Sequence, residues 1–329
     1  MTNKLFDKEQ VIEMINAGES LILAGDENVL KELPAGAWIA GTIPYFMDKE
    51  GGVSSCTSIF VTQLPKCVLG SSVKVYDTKS VENIYRDGPE HGFGVVIIPA
   101  SSKTHSSFAL DSHKYEDFAS KPLIGWISGV LLEDLGKISP KVFDGTTKQI
   151  IEDGAVVLNV ELPDNKIADI EIVNLFEHKD GDTITFPKNG FNAKEAFING
   201  EKMNFADYLS ENNIDLKLPL VADMYGAMIN TSFQSINEDE KQVDFYAPVF
   251  EGVNYKIAAQ TEDYVKTFTK NIPDGVSENL FFSCNCILNY LYAELEGKKT
   301  KDLTGPITFG EIAYQLLNQT LAYVTIEDV

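Results

Sequence analysis

Long apolar runs are missing from this chain. No stretch approaches the roughly 20 apolar residues that span a bilayer, and the opening segment MTNKLFDKEQ lacks the apolar core of a signal peptide. Both absences predict a cytoplasmic protein. Basic residues are scarce as well, with 27 Lys and Arg against 49 Asp and Glu and a net charge of −22. That field repels a nucleic-acid backbone and anionic membrane surfaces alike, so neither is an expected partner. The densest basic group, Lys298, Lys299 and Lys301, reads as a solvated face or a helix-dipole partner.

Cysteine is sparse too. Four in 329 residues do not make a disulfide framework. Cys284 and Cys286 could join Cys56 and Cys67 on a metal only through a spacing that matches no zinc knuckle, so no metal is expected. Walker A, Rossmann and Gly-x-Ser-x-Gly signatures are all absent, and no cofactor is implied.

What is present is the balance of a folded protein, with 44% hydrophobic and 23% charged residues. A chain of 329 residues is longer than one hydrophobic core usually grows, which suggests about two domains. The strongest organisational signal is a recurring order of strand, helix, glycine-bearing strand and strand. The first pass runs from SLILAG at Ser20 through GAWIAGTIPY (36–45) to SIFVTQL (58–64). The second runs from GVVIIP (94–99) through a helix over 106–120 and PLIGWISGVLL (122–132) to AVVLNVEL (155–162). The third, its first strand weakened, has FINGE (197–201), whose Asn199-Gly200 predicts a two-residue hairpin turn, a helix over 205–212, LPLVADMYGAMIN (218–230) and a last strand over 243–250. The fourth has ENLFFSC (278–284), a helix over 287–295 with Ile287, Leu288, Leu291 and Leu295 on one face, GPITFGEIAY (305–314) and TLAYVTI (320–326). This pattern predicts an α+β fold of two related lobes, built from strand–helix–hairpin units with mixed or antiparallel sheets flanked by helices. The turn-rich PDNK (163–166) places the boundary near Asn165, giving lobes 1–165 and 166–329.

Several segments resemble the FIST family of sensory domains. FFSCN (281–285), FGEI (309–312) and NQTLAYVTI (318–326) are similar to the end of its C-terminal domain, and FINGEKMNFADYL (197–209) to that domain's opening. WIAGT (38–42), PLIGWISG (122–129) and VFDG (142–145) resemble its N-terminal domain. The pattern departs at Cys286-Ile287, where the family carries Gly-Arg, and at Ile43-Pro44-Tyr45, where it often carries Gly-Glu. Losing that Arg removes a carboxylate anchor. The resemblance implies a small-ligand sensor that passes its signal to a separate protein partner.

The recurring glycines admit close backbone approach, so a shared ligand cleft is expected where the bends converge. The candidate lining is Gly41, Thr42, Trp126, Tyr225, Cys284, Asn285, Gly310 and Glu311, with a small metabolite as ligand. A rival reading makes the chain a hydrolase. Cys284 would be its nucleophile, activated at a helix N-terminus, with Glu311 or a His as base. Of the four histidines, His105 and His113 lie two helical turns apart in a Ser-rich stretch, a spacing that suits one helix face or an N-cap neighbourhood.

Overall fold

The computed structural model describes residues 3–178, 180–224, 226–259, 264–272 and 276–329. The chain is α+β, with 45% strand against 17% helix, so short helices cover sheets rather than form a layer of their own. No helix among the described residues is long and apolar enough to cross a membrane.

Three parallel strand pairs form the framework. The first joins β1 (Leu21–Gly25) to β2 (Trp38–Thr42) through helix α1 (Glu27–Leu30). The second joins β3 (Gly92–Pro99) to β4 (Leu123–Ser128) through α2 (Lys103–Asp111), and the third joins β5 (Leu280–Cys286) to β6 (Gly305–Thr308) through α3 (Ile287–Tyr292). The chain ends in β7 (Glu311–Ala313), the strand Gln315–Leu317 and β8 (Thr320–Asp328). Central strands buried on both faces need apolar side chains throughout, which is why GVVIIP and LIGWIS read as unbroken runs. Helix starts are set by short polar caps. The Asp26 carboxylate accepts from Asn28 N–H, and Ser102 Oγ accepts from His105 N–H.

Each pair sits in a six-stranded sheet, and the three sheets share one plan. An edge strand (Asn3–Asp7, Gly70–Tyr76 or Lys166–Asn174) pairs with a closing strand (Ser58–Gln63, Ala155–Glu161 or β8), which pairs with the first strand of the parallel pair. Beyond the second parallel strand lies a hairpin drawn from a different unit. The first unit's Tyr45–Asp48 and Gly51–Ser54 complete the β6 sheet. The second unit's Val142–Asp144 and Gln149–Ile151 complete the β2 sheet, and the third unit's β7 and Gln315–Leu317 complete the β4 sheet. Hairpins are thus passed cyclically among three units. Pro44 helps release the first of them, because a residue without an N–H ends the pairing of β2 and the chain leaves for another sheet.

Three of the four passes predicted from sequence therefore build the parallel pair. The pass over 197–250 does not, and its strands belong to three small antiparallel sheets between Ile184 and Ile257. Local structure there still follows the sequence. Asn199 and Gly200 take φ of 52° and 89° between the paired strands Glu195–Ile198 and Glu201–Asn204, and Asn204 caps the helix Phe205–Glu211. The helix expected over 106–120 begins earlier, at Lys103, and ends at Asp111, since Ser102 supplies the cap. The helix expected over 287–295 stops at Tyr292 and leaves Leu291 on its outer side, 40% exposed. The PDNK turn lies between Ala155–Glu161 and Lys166–Asn174, and strands from either side of residue 165 share the β4 and β6 sheets.

The largest core cluster lies where the three sheets face one another, with Ile39, Ile97, Ile124, Trp126, Phe282, Cys284 and Ile307 among its members. Packing there tolerates no added bulk. A Cβ on Gly125 would lie 1.8 Å from the Val96 carbonyl oxygen. Gly125→Ala is expected to cost about 3 kcal/mol, read as a lowered urea midpoint with unchanged slope.

Candidate functional site

The carboxyl ends of β2, β4 and β6 meet. Gly129 N–H donates to the Thr42 carbonyl at 2.7 Å, Ile127 N–H to the Gly310 carbonyl at 2.8 Å, and Phe309 N–H to the Ile127 carbonyl at 3.0 Å. Each of the three strands ends on a buried hydroxyl residue: Thr42, Ser128 and Thr308. Thr42 Oγ1 accepts from Lys141 N–H at 2.9 Å. Thr308 Oγ1 lies 3.3 Å from the Asn285 carbonyl oxygen and 3.2 Å from Glu311 Oε1. Ser128 Oγ is fully buried with no partner among the described residues.

Cross-strand geometry puts several polar groups on one face of the β4 sheet. Side chains at i and i+2 of a strand share a face, as do directly opposed residues on neighbouring strands. Trp126 and Ser128 are two apart on β4, and Glu311 of β7 stands opposite Trp126. The Trp126 ring stacks on Phe282 of β5 with centroids 5.4 Å apart. Its Nε1–H is buried and has no partner among the described residues. Gly41 of β2 comes against the same groups: a Cβ there would lie 2.6 Å from Ile97 Cγ2, 3.0 Å from Trp126 Nε1 and 3.3 Å from Ser128 Cβ. An indole N–H and a hydroxyl without partners among the described residues therefore lie against a backbone position where close packing leaves no space for a side chain.

Glu311 has no exposed surface. Its Oε2 accepts from Thr320 Oγ1 at 2.8 Å and from Thr320 N–H at 3.3 Å. Burial pushes its carboxyl up to about 8, against the lowering effect of Thr320, Thr308 and the Cys286 thiol. The group is neutral near pH 7, and its proton can lie between Oε1 and the Thr308 hydroxyl, leaving that hydroxyl free to donate to Asn285.

Cys284 and Cys286 project from the same face of β5 and are each 1% exposed. Burial drives both thiols well above the ordinary range, with neighbouring Glu311 adding to the effect. The Cys284 thiol donates to the Gly125 carbonyl at 3.4 Å. Asn285 Oδ1 accepts from Asn289 Nδ2 at 2.8 Å, while Asn285 Nδ2 and Asn289 Oδ1 are left unpaired and buried.

Seven of the eight residues expected from sequence lie in this region: Gly41, Thr42, Trp126, Cys284, Asn285, Gly310 and Glu311. Tyr225 falls outside the described residues. Sequence reasoning missed Ser128, Thr308 and Thr320. Strand alternation could have found Ser128, which lies two residues beyond Trp126. Thr320 became a partner of Glu311 only through folding. His105 and His113 do not share one helix face. His105 belongs to α2, where its Nδ1 accepts from Ser101 N–H at 3.2 Å, and His113 lies in a following 3-10 turn against Phe250. Burial lowers His105 to about 4.

An open surface cavity of about 430 Å³ lies elsewhere, among Asp182, Asn199, Glu201, Tyr208 and Glu211. The Asp182 carboxylate already accepts from Asn199 Nδ2 and Tyr208 O–H. Among the described residues, no group of three His, Cys, Asp or Glu is placed to hold a metal ion.

Two predictions follow from these environments. Glu311 stabilises the fold most below its unfolded value of 4.5, and that contribution is lost as pH rises through about 8. His105 acts in the opposite sense, with a contribution complete above 6.5 and lost as pH falls towards 4. Between pH 4.5 and 6.5 the two slopes cancel. From pH 6.5 to 8 the protein should lose about 2 kcal/mol through Glu311 alone. Urea titrations of Glu311→Gln across that range should lack this loss. Secondly, iodoacetamide at neutral pH should label exposed Cys56 and spare Cys284 and Cys286 until the chain is unfolded, as read by peptide mass spectrometry.

Comparison with known proteins corrects the family expectation. No curated protein matches the chain. The match is to a family described as "Family of unknown function (DUF6976)", over residues 6–327, and not to FIST. The segments that suggested FIST are short strand–glycine–strand pieces, and such pieces arise wherever strands pack closely at glycines, as at Gly125 and Gly305 here. The chain belongs to the DUF6976 family.

Proposed function

We propose that the chain binds a small polar molecule at the junction of the β2, β4 and β6 carboxyl ends, and that a separate protein partner in the cytoplasm reads its occupancy. One observation carries this reading. Trp126 Nε1–H and Ser128 Oγ are buried beside Gly41 with no partner among the described residues, and Ile97, whose Cγ2 would lie 2.6 Å from a Cβ there, has to turn aside to admit a ligand. Leaving a buried polar group unpaired costs about 1–3 kcal/mol, and such groups are rare in folded proteins unless water or a ligand completes them. Placement at strand carboxyl ends agrees with the usual position of ligands in sheets built from parallel strands. The net charge of −22 favours a protein partner over nucleic acid.

Binding is favoured over chemistry at Cys284. A thiol held well above its ordinary range by burial carries almost no thiolate at neutral pH, and the neighbouring acid Glu311 is itself protonated there.

The test reads the tryptophan directly. The protein has two indole N–H resonances, and Trp38→Phe assigns them. Titration with a panel of small metabolites should move the Trp126 resonance downfield and raise the melting temperature with at least one compound. Trp38 Nε1 already donates to the Pro34 carbonyl at 2.9 Å and should stay in place. Ser128→Ala removes a hydroxyl that makes no protein bond, so it should fold with unchanged stability and lose the response. A panel in which no compound moves the Trp126 resonance defeats the reading.

A further inference from the structure

We infer that the edge strand Lys166–Asn174 is a docking edge for another protein, which adds an extended segment of alternating basic and apolar residues to it as a further strand of the sheet. The inference goes beyond the binding reading above and stands whether or not the junction holds a ligand.

The hairpins passed between units close one side of each six-stranded sheet. The other side ends on an edge strand beyond which no strand pairs among the described residues. Lys166–Asn174 is the longest of these, with nine residues against seven in Gly70–Tyr76 and five in Asn3–Asp7. It pairs with β8 along its whole length without a register shift. Val329 N–H donates to the Asn165 carbonyl at 3.1 Å, and every second residue of an antiparallel pair bonds across in this way. Ile167, Asp169, Glu171 and Val173 therefore turn their backbone groups to β8, and Ala168, Ile170 and Ile172 turn theirs outward. Lys166 agrees with that alternation, since its outward carbonyl accepts from His91 Nε2 at 2.9 Å. Among the described residues, nothing meets the outward N–H and carbonyl groups of Ala168, Ile170 and Ile172.

The two faces of the strand describe what would pair with it. Toward the core, Ala168, Ile170 and Ile172 are half-buried, whereas the residues opposite them, Ile326, Val324 and Ala322, are at most 5% exposed. The apolar face thus meets water one strand further out, and an added strand needs apolar residues on that side. The other face is acidic. Asp169 and Glu171 are exposed there beside Ile167, and Glu327 of β8 stands opposite Ile167. Burial, and then Glu171, Asp169 and Glu327, raise the Tyr323 hydroxyl above its ordinary range, which agrees with three carboxylates on one face. Among the described residues no ion pair reaches these three, and nearby Lys166 pairs with Asp328 at 2.7 Å. An arriving strand meets uncompensated negative charge. That favours Lys or Arg on this side, and their stems can cover Ile167. The same charge disfavours a second copy of the chain. If Ile170 paired with its own copy, Asp169 of each chain would face Glu171 of the other.

Synthetic peptides added to the full chain test this. A short peptide alternating Lys and Val should bind, as read by fluorescence anisotropy, and should slow hydrogen exchange at Ala168, Ile170 and Ile172. A Glu-Val counterpart, and a peptide with the same Lys and Val sorted into two blocks, should leave those amides unprotected. Asp169→Lys combined with Glu171→Lys should weaken the Lys-Val peptide about tenfold or more and let the Glu-Val peptide bind. Ala168→Pro removes one outward N–H, a change that an edge strand tolerates, and should weaken the Lys-Val peptide with little effect on the melting temperature. Should the proline variant fail to fold, the charge-reversed chain, altered only at exposed residues, decides the matter. A Lys-Val peptide that does not bind, binds the charge-reversed chain as tightly, or protects other amides instead overturns the inference. Equal protection by the block peptide overturns it too, because charge alone would then explain binding, and so does a dimer of the chain that protects the same amides.

Discussion

Edge strands must be paired or covered, and in this protein that requirement is met across units. Each parallel pair would leave its second strand open on one side, with unsatisfied backbone groups along β2, β4 and β6. The hairpin that closes each edge comes from another unit, so the first unit completes the third sheet, the second completes the first and the third completes the second. No unit can form all of its sheet alone. Unfolding any one of them strips a hairpin from a neighbour, and stability is shared around the ring rather than held in separable pieces.

The same exchange makes the junction. A chain that leaves β2 for another sheet must turn at Ile43-Pro44, one that leaves β6 must turn at Phe309-Gly310, and the chain after β4 departs through Gly129. The end of β4 hydrogen-bonds to both of the others, through Gly129 to Thr42 and through Ile127 to Phe309 and Gly310. Gly310 has a φ of 157°, near the edge of what other residues adopt, and its carbonyl receives the Ile127 N–H. Convergence is therefore a consequence of how edges are closed. Polar groups are carried into the centre because the strands end there, and most find partners. Thr42, Thr308 and Glu311 are bonded, while Trp126 and Ser128 are not. The unequal outcome among three similar strand ends marks the β4 end as distinct.

Much of the local structure was legible in the sequence. The runs GVVIIP and LIGWIS read as buried strands because parallel strands covered on both faces must be apolar throughout. Asn199-Gly200 read as a hairpin turn because those residues tolerate positive φ. The pairing of Trp126 with Glu311, the approach of Gly41 to both Trp126 and Ser128, and the loss of thiol acidity at Cys284 were not legible, since each depends on packing between different strands that no local stretch contains. The pass over 197–250 differed from the fourth already in sequence, with a weakened first strand broken by the Asn199-Gly200 turn. Its strands around that turn pair with each other as an antiparallel hairpin, whereas β5 runs unbroken and pairs in parallel with β6.

The sequence by itself determined an acidic α+β chain, a recurring order of strand, helix and strand, and a set of small residues at strand ends. Those properties follow from composition, alternation and backbone preference, which act over a few residues. Tertiary structure decided which hairpin closes which sheet, and with it which polar side chains end up buried together and which of them lack a partner. Hydrogen bonds between strands far apart in the chain are fixed by edge closure and packing, and neither is written in any local stretch.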